Sequence, residues 1–225
     1  MQKKTLKRVA WSGFAAALAL AIGAGAVGFA AVPSMSAAPV RDLNGNTVQL
    51  DDDGAASLDS VQSHPIADTG ARFMVPSAGL DVPLGQLNEV GGSVTPPGFT
   101  SVYRVANRGV DVAHASTGTV YVVTHSLRGG GVGPGNYLID VDNARPAIDN
   151  GESIIVDGVE YVVDSAFAVD KSDLPAQADV WATEPGRLVV ITCLQNPQST
   201  ASTQNVVIEA HLADSPSPSD NRDAG

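Results

Sequence analysis

"ESIIVDGVEYVV", residues 152–163, sets two apolar runs on either side of Asp157-Gly158. Asp-Gly between apolar runs favours a two-residue hairpin turn, because both central positions take positive φ. The stretch therefore predicts a β-hairpin, and similar runs lie on both sides of it. "GTVYVVTH" (118–125), "RLVVITC" (187–193) and "NVVIEAHL" (205–212) are rich in β-branched residues, while "RFMVP" (72–76) and "LDVPL" (80–84) are short and broken by prolines, which suits edge positions. These make at least six strands, and no stretch among them keeps a helical period beyond about two turns. The regular spacing predicts an all-β domain, a closed or nearly closed β-barrel with short helical connections.

The chain has 225 residues, 44% of them hydrophobic and only 5% aromatic, enough for one domain of ordinary size plus extensions. The net charge of −11 is unevenly spread: Lys3, Lys4, Lys7 and Arg8 stand in the first 32 residues with no acid, and all 24 acids lie beyond them. An acidic domain of this kind argues against nucleic acid or anionic surfaces as partners.

The basic start, residues 1–8, precedes an uncharged stretch over 9–32 dominated by Ala, Leu, Ile and Gly. Its length suits a transmembrane helix across a core of ~30 Å, with the basic end cytoplasmic and the domain outside the membrane. The small residues of "SMSAAP" also offer a cleavage-like site, so a removed signal peptide is the alternative. Residues 33–71, with "LDDDGAASLDS", read as a flexible stalk, 72–213 as the barrel domain, and 214–225 as a disordered tail.

Cys193 is the only cysteine in the chain. In an exported protein a thiol without a disulfide partner is either a small buried hydrophobe or a reactive group. His125 ends one apolar run as Cys193 ends another, so both side chains can emerge at a barrel rim, where an imidazole can take the proton of a thiol. The other histidines fit less well: His64 is in the stalk, His114 in an irregular stretch, and His211 on the last strand facing outward. The glycine run "LRGGGVGPGNYL" lacks the Gly-Lys-Ser/Thr ending of a phosphate loop and reads as a mobile loop beside the site. Asp140 and Asp142 on "YLIDVD" are more ordinary as solvent-facing acids of a strand than as calcium ligands.

The blocks "GTVYVVTHS" and "GRLVVITCLQ", with 68 positions between His125 and Cys193, followed by "NVVIEAHL", resemble the sortases, cysteine transpeptidases of Gram-positive bacterial surfaces. "VTPPGFTSVYRVAN" and "AFAVDKSDLP" also resemble segments of those enzymes, and the likeness covers roughly Arg72 to Leu212. Thr192-Cys193 at the end of an apolar strand is its most specific element, and the basic, apolar N-terminus points to an actinobacterial-type member.

The resemblance implies a sortase-like barrel with Cys193 and His125 at one rim and no metal or cofactor. It implies that Cys193 attacks the Thr–Gly bond of a Leu-Pro-x-Thr-Gly-like signal on a secreted surface protein, with His125 as general acid. The acyl group would pass to an amine of a cell-wall peptide precursor or of a pilin lysine. Thr192 and Arg128 are the substrate-contacting residues expected beside them.

Sortases also carry an arginine on the strand after the cysteine, and here that position falls at Asn205, with Thr203 and Gln204 as neighbours. An uncharged amide can line an oxyanion hole, without the bidentate charge of a guanidinium. Arg128, three residues past His125, is the nearer substitute, whereas Arg187 begins the cysteine strand and falls near the opposite rim. The missing arginine keeps open a catalytically impaired binding or assembly module. A papain-type protease fits poorly, because Cys follows His in this chain.

Overall fold

The computed structural model describes residues 40–48 and 63–213. Ten strands follow in order: β1 (Ile66–Val75), β2 (Leu80–Leu87), β3 (Val102–Gly109), β4 (Thr119–Val123), β5 (Ile139–Asp140), β6 (Arg145–Pro146), β7 (Ser153–Val156), β8 (Val159–Asp170), β9 (Arg187–Leu194) and β10 (Gln204–Leu212). Eight close into a barrel of order β1-β2-β3-β4-β9-β10-β8-β7, and β5 and β6 form a separate small pair. Short 3-10 turns are the only helical elements among the described residues. The barrel is thus the expected one, with more strands than the sequence reading counted.

The β7–β8 hairpin turns at Asp157 (φ 50°) and Gly158 (φ 77°), the two positive φ values that Asp-Gly supplies. β1 and β2, expected as edges, are both internal to the closed barrel. Pro83 is still tolerated for an edge-like reason: β2 meets β3 only from Leu84 onward, so one flank of the strand at Pro83 carries no partner. "YLIDVD" is not the strand expected of it. A 3-10 turn over Pro134–Leu138 runs into the two-residue β5, and Asp140 pairs with Arg145 and Asn143.

Alternation along the strands builds two cores. Phe73, Val82, Val102, Val120, Ile154, Tyr161, Val190 and Val206 lie in one cluster to which all eight barrel strands contribute, the barrel interior. Tyr103, Tyr121, Val123, Val189, Ile191 and Val207 point the other way. On that outer face they are covered by Val94 from the β2–β3 connection and by Leu174, Val180 and Trp181 from the β8–β9 connection. Trp181 stacks under the Arg108 guanidinium, itself paired with Glu89, and donates through Nε1 to the Leu174 carbonyl.

Part of the expected stalk belongs to this unit. Arg41 bridges to Thr47, and the Asp42 carboxylate, 3% exposed, accepts from the backbone of Asn44, Asn46 and Val132 and from the Asn46 amide. Burial pushes the Asp42 pKa up, but these donated bonds outweigh it and leave the group below its ordinary range. Leu43 completes the tie, its N–H donating to Val132 at 2.8 Å. β1 likewise begins at Ile66 rather than at 72, and Asn88 donates back to Ser63. The expected cytoplasmic start, membrane-spanning stretch and C-terminal tail lie outside the described residues. Among the described residues no helix is long and apolar enough to cross a membrane.

Candidate active site

β4 and β9 run parallel, with Val123 opposite Ile191, and Thr124 extends the ladder by donating to the Ile191 carbonyl at 3.0 Å. The next step along both segments reaches His125 and Cys193. On the other flank of β9, β10 runs antiparallel with Asn205 directly opposite Cys193. Side chains two apart on a strand share a face. Val123, Ile191 and Val207 all lie in the outer-face core, so alternation carries Cys193 and Asn205 onto that face on β9 and β10, and His125 follows two residues past Val123, beyond the end of β4. Directly paired residues on one face of an antiparallel ladder hold their Cβ atoms about 4.5–5.5 Å apart. Cys193 and Asn205 thus pair near the strand ends on the outer wall of the barrel.

Each is half-buried. Cys193 is a free thiol. His125 lodges against the β2–β3 connection, its ring 4.8 Å from that of Phe99 and its Nε2 2.9 Å from the Pro96 carbonyl. A carbonyl only accepts, so Nε2 carries a proton and Nδ1 is left as the nitrogen that takes and gives one. Burial pushes the imidazole pKa down; the Pro96 bond partly offsets this, and the ammonium of Lys171 pushes it down further. His125 at rest is accordingly a neutral base.

A clasp that the sequence reading did not single out fixes the spacing of the two strands. Ser126 Oγ donates to the Cys193 carbonyl at 2.5 Å, and the buried Gln195 amide donates to Ser126 O at 2.9 Å and to its Oγ at 3.1 Å. Both residues stand in the quoted blocks "THS" and "CLQ", but a side chain bonding to a backbone 67 residues away leaves no periodic signal.

Thr192, expected to touch substrate, alternates onto the face opposite Cys193 and is 2% exposed. Its side chain instead abuts Gly135, where a Cβ would stand 2.0 Å from Thr192 Oγ1 and 2.8 Å from the His125 carbonyl. Gly135 is needed for this approach, and its N–H donates to that same carbonyl at 2.8 Å.

The glycine run, expected to be a mobile loop, is stitched together. Asn136 accepts from Leu127 N and Gly133 N and donates to Leu127 O, while Asp42 holds Val132. Arg128 sits half-buried at the start of this turn, ahead of Gly129 and Gly130 at positive φ. Arg187 is at the far end of β9 as expected, 9% exposed, bound to Glu209 and to the Asp179 carbonyl. His114 and His211 pair with Asp111 and Asp164, and His64 is exposed.

No family model and no curated protein matches the chain. Among solved structures it is similar to sortase A of Listeria monocytogenes, at 16% identity over 65% of this chain and 88% of that one, TM-score 0.45. It is similar to sortase C-1 of Actinomyces oris, at 16% identity over 81% and 91%, TM-score 0.47. A lid mutant of sortase A from Corynebacterium diphtheriae matches at 14% identity over 74% and 80%, TM-score 0.47. Likenesses this distant leave the chemistry to the residues themselves. Those residues supply a thiol and an amide directly opposed on β9 and β10, and a neutral imidazole two residues past the end of β4. The set is suited to acyl transfer through a thioester.

Proposed function

We propose that the protein is a sortase-like cysteine transpeptidase. The observation that supports this reading is the register of β4, β9 and β10, with Val123 opposite Ile191 and Asn205 opposite Cys193, His125 following two residues past Val123 as Cys193 follows Ile191. The Cys193 thiol gives its proton to His125 Nδ1, and the thiolate attacks the Thr carbonyl carbon of a Leu-Pro-x-Thr-Gly-like signal. Asn205 donates its amide to the developing oxyanion. As the tetrahedral intermediate collapses, the C–N bond to Gly breaks and His125 returns its proton to the leaving amine. An acceptor amine then attacks the thioester, loses a proton to His125 and expels the Cys193 thiolate. Arg128, on the turn after His125, contributes to substrate contact.

The substrates are secreted surface proteins bearing the signal, and the acceptor is an amine of a cell-wall peptide or a pilin lysine. The 9–32 segment anchors the barrel outside the membrane. Incubation of the full-length chain with a Leu-Pro-Ala-Thr-Gly peptide and glycinamide tests the reading. Peptide joined to glycinamide by wild type and not by Cys193→Ala is expected. Intact peptide that still binds both forms points instead to an impaired binding module.

A further inference from the structure

We propose that Lys171 supplies the positive charge of this site, its ammonium stabilising the Cys193 thiolate and then the oxyanion of the tetrahedral intermediate. The inference rests on the acyl-transfer reading and adds to it the cation that the expected arginine would have brought. Its ground is the same register extended by one strand. β8 pairs with β10 so that Val169 stands opposite Asn205, and Lys171 continues the ladder past Asp170 by donating its N–H to Thr203 O at 2.9 Å. Phe167 and Val169 pack on the outer-face core. Lys171, two residues on and just past the end of β8, continues that alternation one step beyond the level of Cys193, Asn205 and Val169.

Among the described residues, Arg72, Arg108, Arg145 and Arg187 are each paired with a carboxylate, Arg41 donates to the Gly45 carbonyl and Arg104 to the Gln86 side-chain oxygen. Lys171 is exposed and enters no ion pair among them, although two acids are close in sequence. Asp170 instead accepts from the Gln204 amide at 2.9 Å and Asp173 from the Ser172 hydroxyl at 3.2 Å. The Lys171 charge is felt across the face at His125, where it disfavours the imidazolium.

An ammonium on a flexible stem is a point charge with three donors, whereas a guanidinium is a rigid planar fork. Asn205 and Lys171 together divide the work of an arginine. The amide fixed on β10 gives direction, and the mobile ammonium gives charge.

Cys193 is the only thiol of the chain, so alkylation by iodoacetamide across pH reads that one group. The charged and titratable groups on the segments that flank it are His125 and Arg128 after β4, and Asp170, Lys171 and Asp173 at and past the end of β8, with Tyr103 and Tyr121 in the outer-face core. In the full-length chain, Lys171→Met is expected to move the alkylation midpoint upward by roughly 0.5–1 pH unit. It should also slow single-turnover acylation by the Leu-Pro-Ala-Thr-Gly peptide about tenfold or more, with Lys171→Arg restoring the midpoint. A midpoint that does not move in Lys171→Met overturns the proposal. Wild type that alkylates with the Lys171-dependent midpoint but forms no acyl adduct leaves the cation in place and rejects the sorting-signal reading. Acylation that is equal in wild type and Lys171→Met, with an unmoved midpoint, does the reverse.

Discussion

Cys193 on β9 and Asn205 on β10 face each other directly across the antiparallel ladder, both half-buried on the outer wall of the barrel. An amide held there is placed to donate to an oxygen that forms on a carbon attached to the sulfur. Loss of one oxyanion donor typically slows acyl transfer by about 10²–10³. Asn205→Ala is therefore expected to lower the single-turnover acylation rate by that factor while leaving the melting temperature within a few degrees. Arg128→Ala should change the rate far less. Stopped-quench kinetics with both variants measures this, and the opposite order would transfer the donor role to Arg128.

The Ser126 hydroxyl ties the His125 segment to the Cys193 carbonyl, and Gln195 ties it again. Each neutral bond contributes about 0.5–1.5 kcal/mol. Ser126→Ala and Gln195→Ala are expected to be non-additive in urea denaturation, because the two side chains also bond each other. Both variants should lose kcat by more than their stability loss accounts for, since the bonds set the spacing of acid and nucleophile.

Gly135 allows the His125 loop to lie against Thr192. A methyl group there would meet Thr192 Oγ1 at 2.0 Å and backbone oxygen at 2.8 Å, neither of which can move freely. Gly135→Ala is expected to destabilise the fold by about 1–3 kcal/mol. Gly135→Ala combined with Thr192→Ser leaves the clash, whereas Thr192→Ala removes the nearer contact and should recover part of the loss. Thermal unfolding of the three variants decides it.

Burial of the His125 ring sets a pH dependence of stability. Its pKa is depressed from the ordinary 6.5, so just below that value the unfolded chain binds more protons than the folded one. Stability therefore rises as pH increases up to about 6.5, and it is lost as pH falls from there toward the lowered folded value. His125→Gln should flatten that part of the curve. Urea titrations between pH 5 and about 7.5 measure the slope. An equal slope in the variant would assign it to another group.

The strands were legible where local chemistry specifies them. Asp157-Gly158 encodes its hairpin, and the β-branched runs mark β4, β9 and β10 within a residue or two. β8 runs on to Asp170 through "SAFAVD", whose small residues give no alternation, so the place of Lys171 just past the strand end was hidden. The solitary cysteine and the strand-ending histidine were visible as residues. What brings their strands together is the parallel β4–β9 pairing, a long-range choice that periodicity does not record. Thr192 was misread because one-residue alternation puts it on the face opposite Cys193. The 40–48 segment was misread because composition describes average solvation and not the four bonds that one carboxylate, Asp42, accepts.

The central claim is that Cys193 carries an acyl group. Intact mass and peptide mapping of the full-length chain after brief exposure to a Leu-Pro-Ala-Thr-Gly peptide measure it directly. The expected result is a hydroxylamine-labile adduct of the Leu-Pro-Ala-Thr acyl group on Cys193, absent from Cys193→Ala and strongly reduced in His125→Ala. An unmodified wild-type chain, or peptide cleavage that persists in Cys193→Ala, would contradict it.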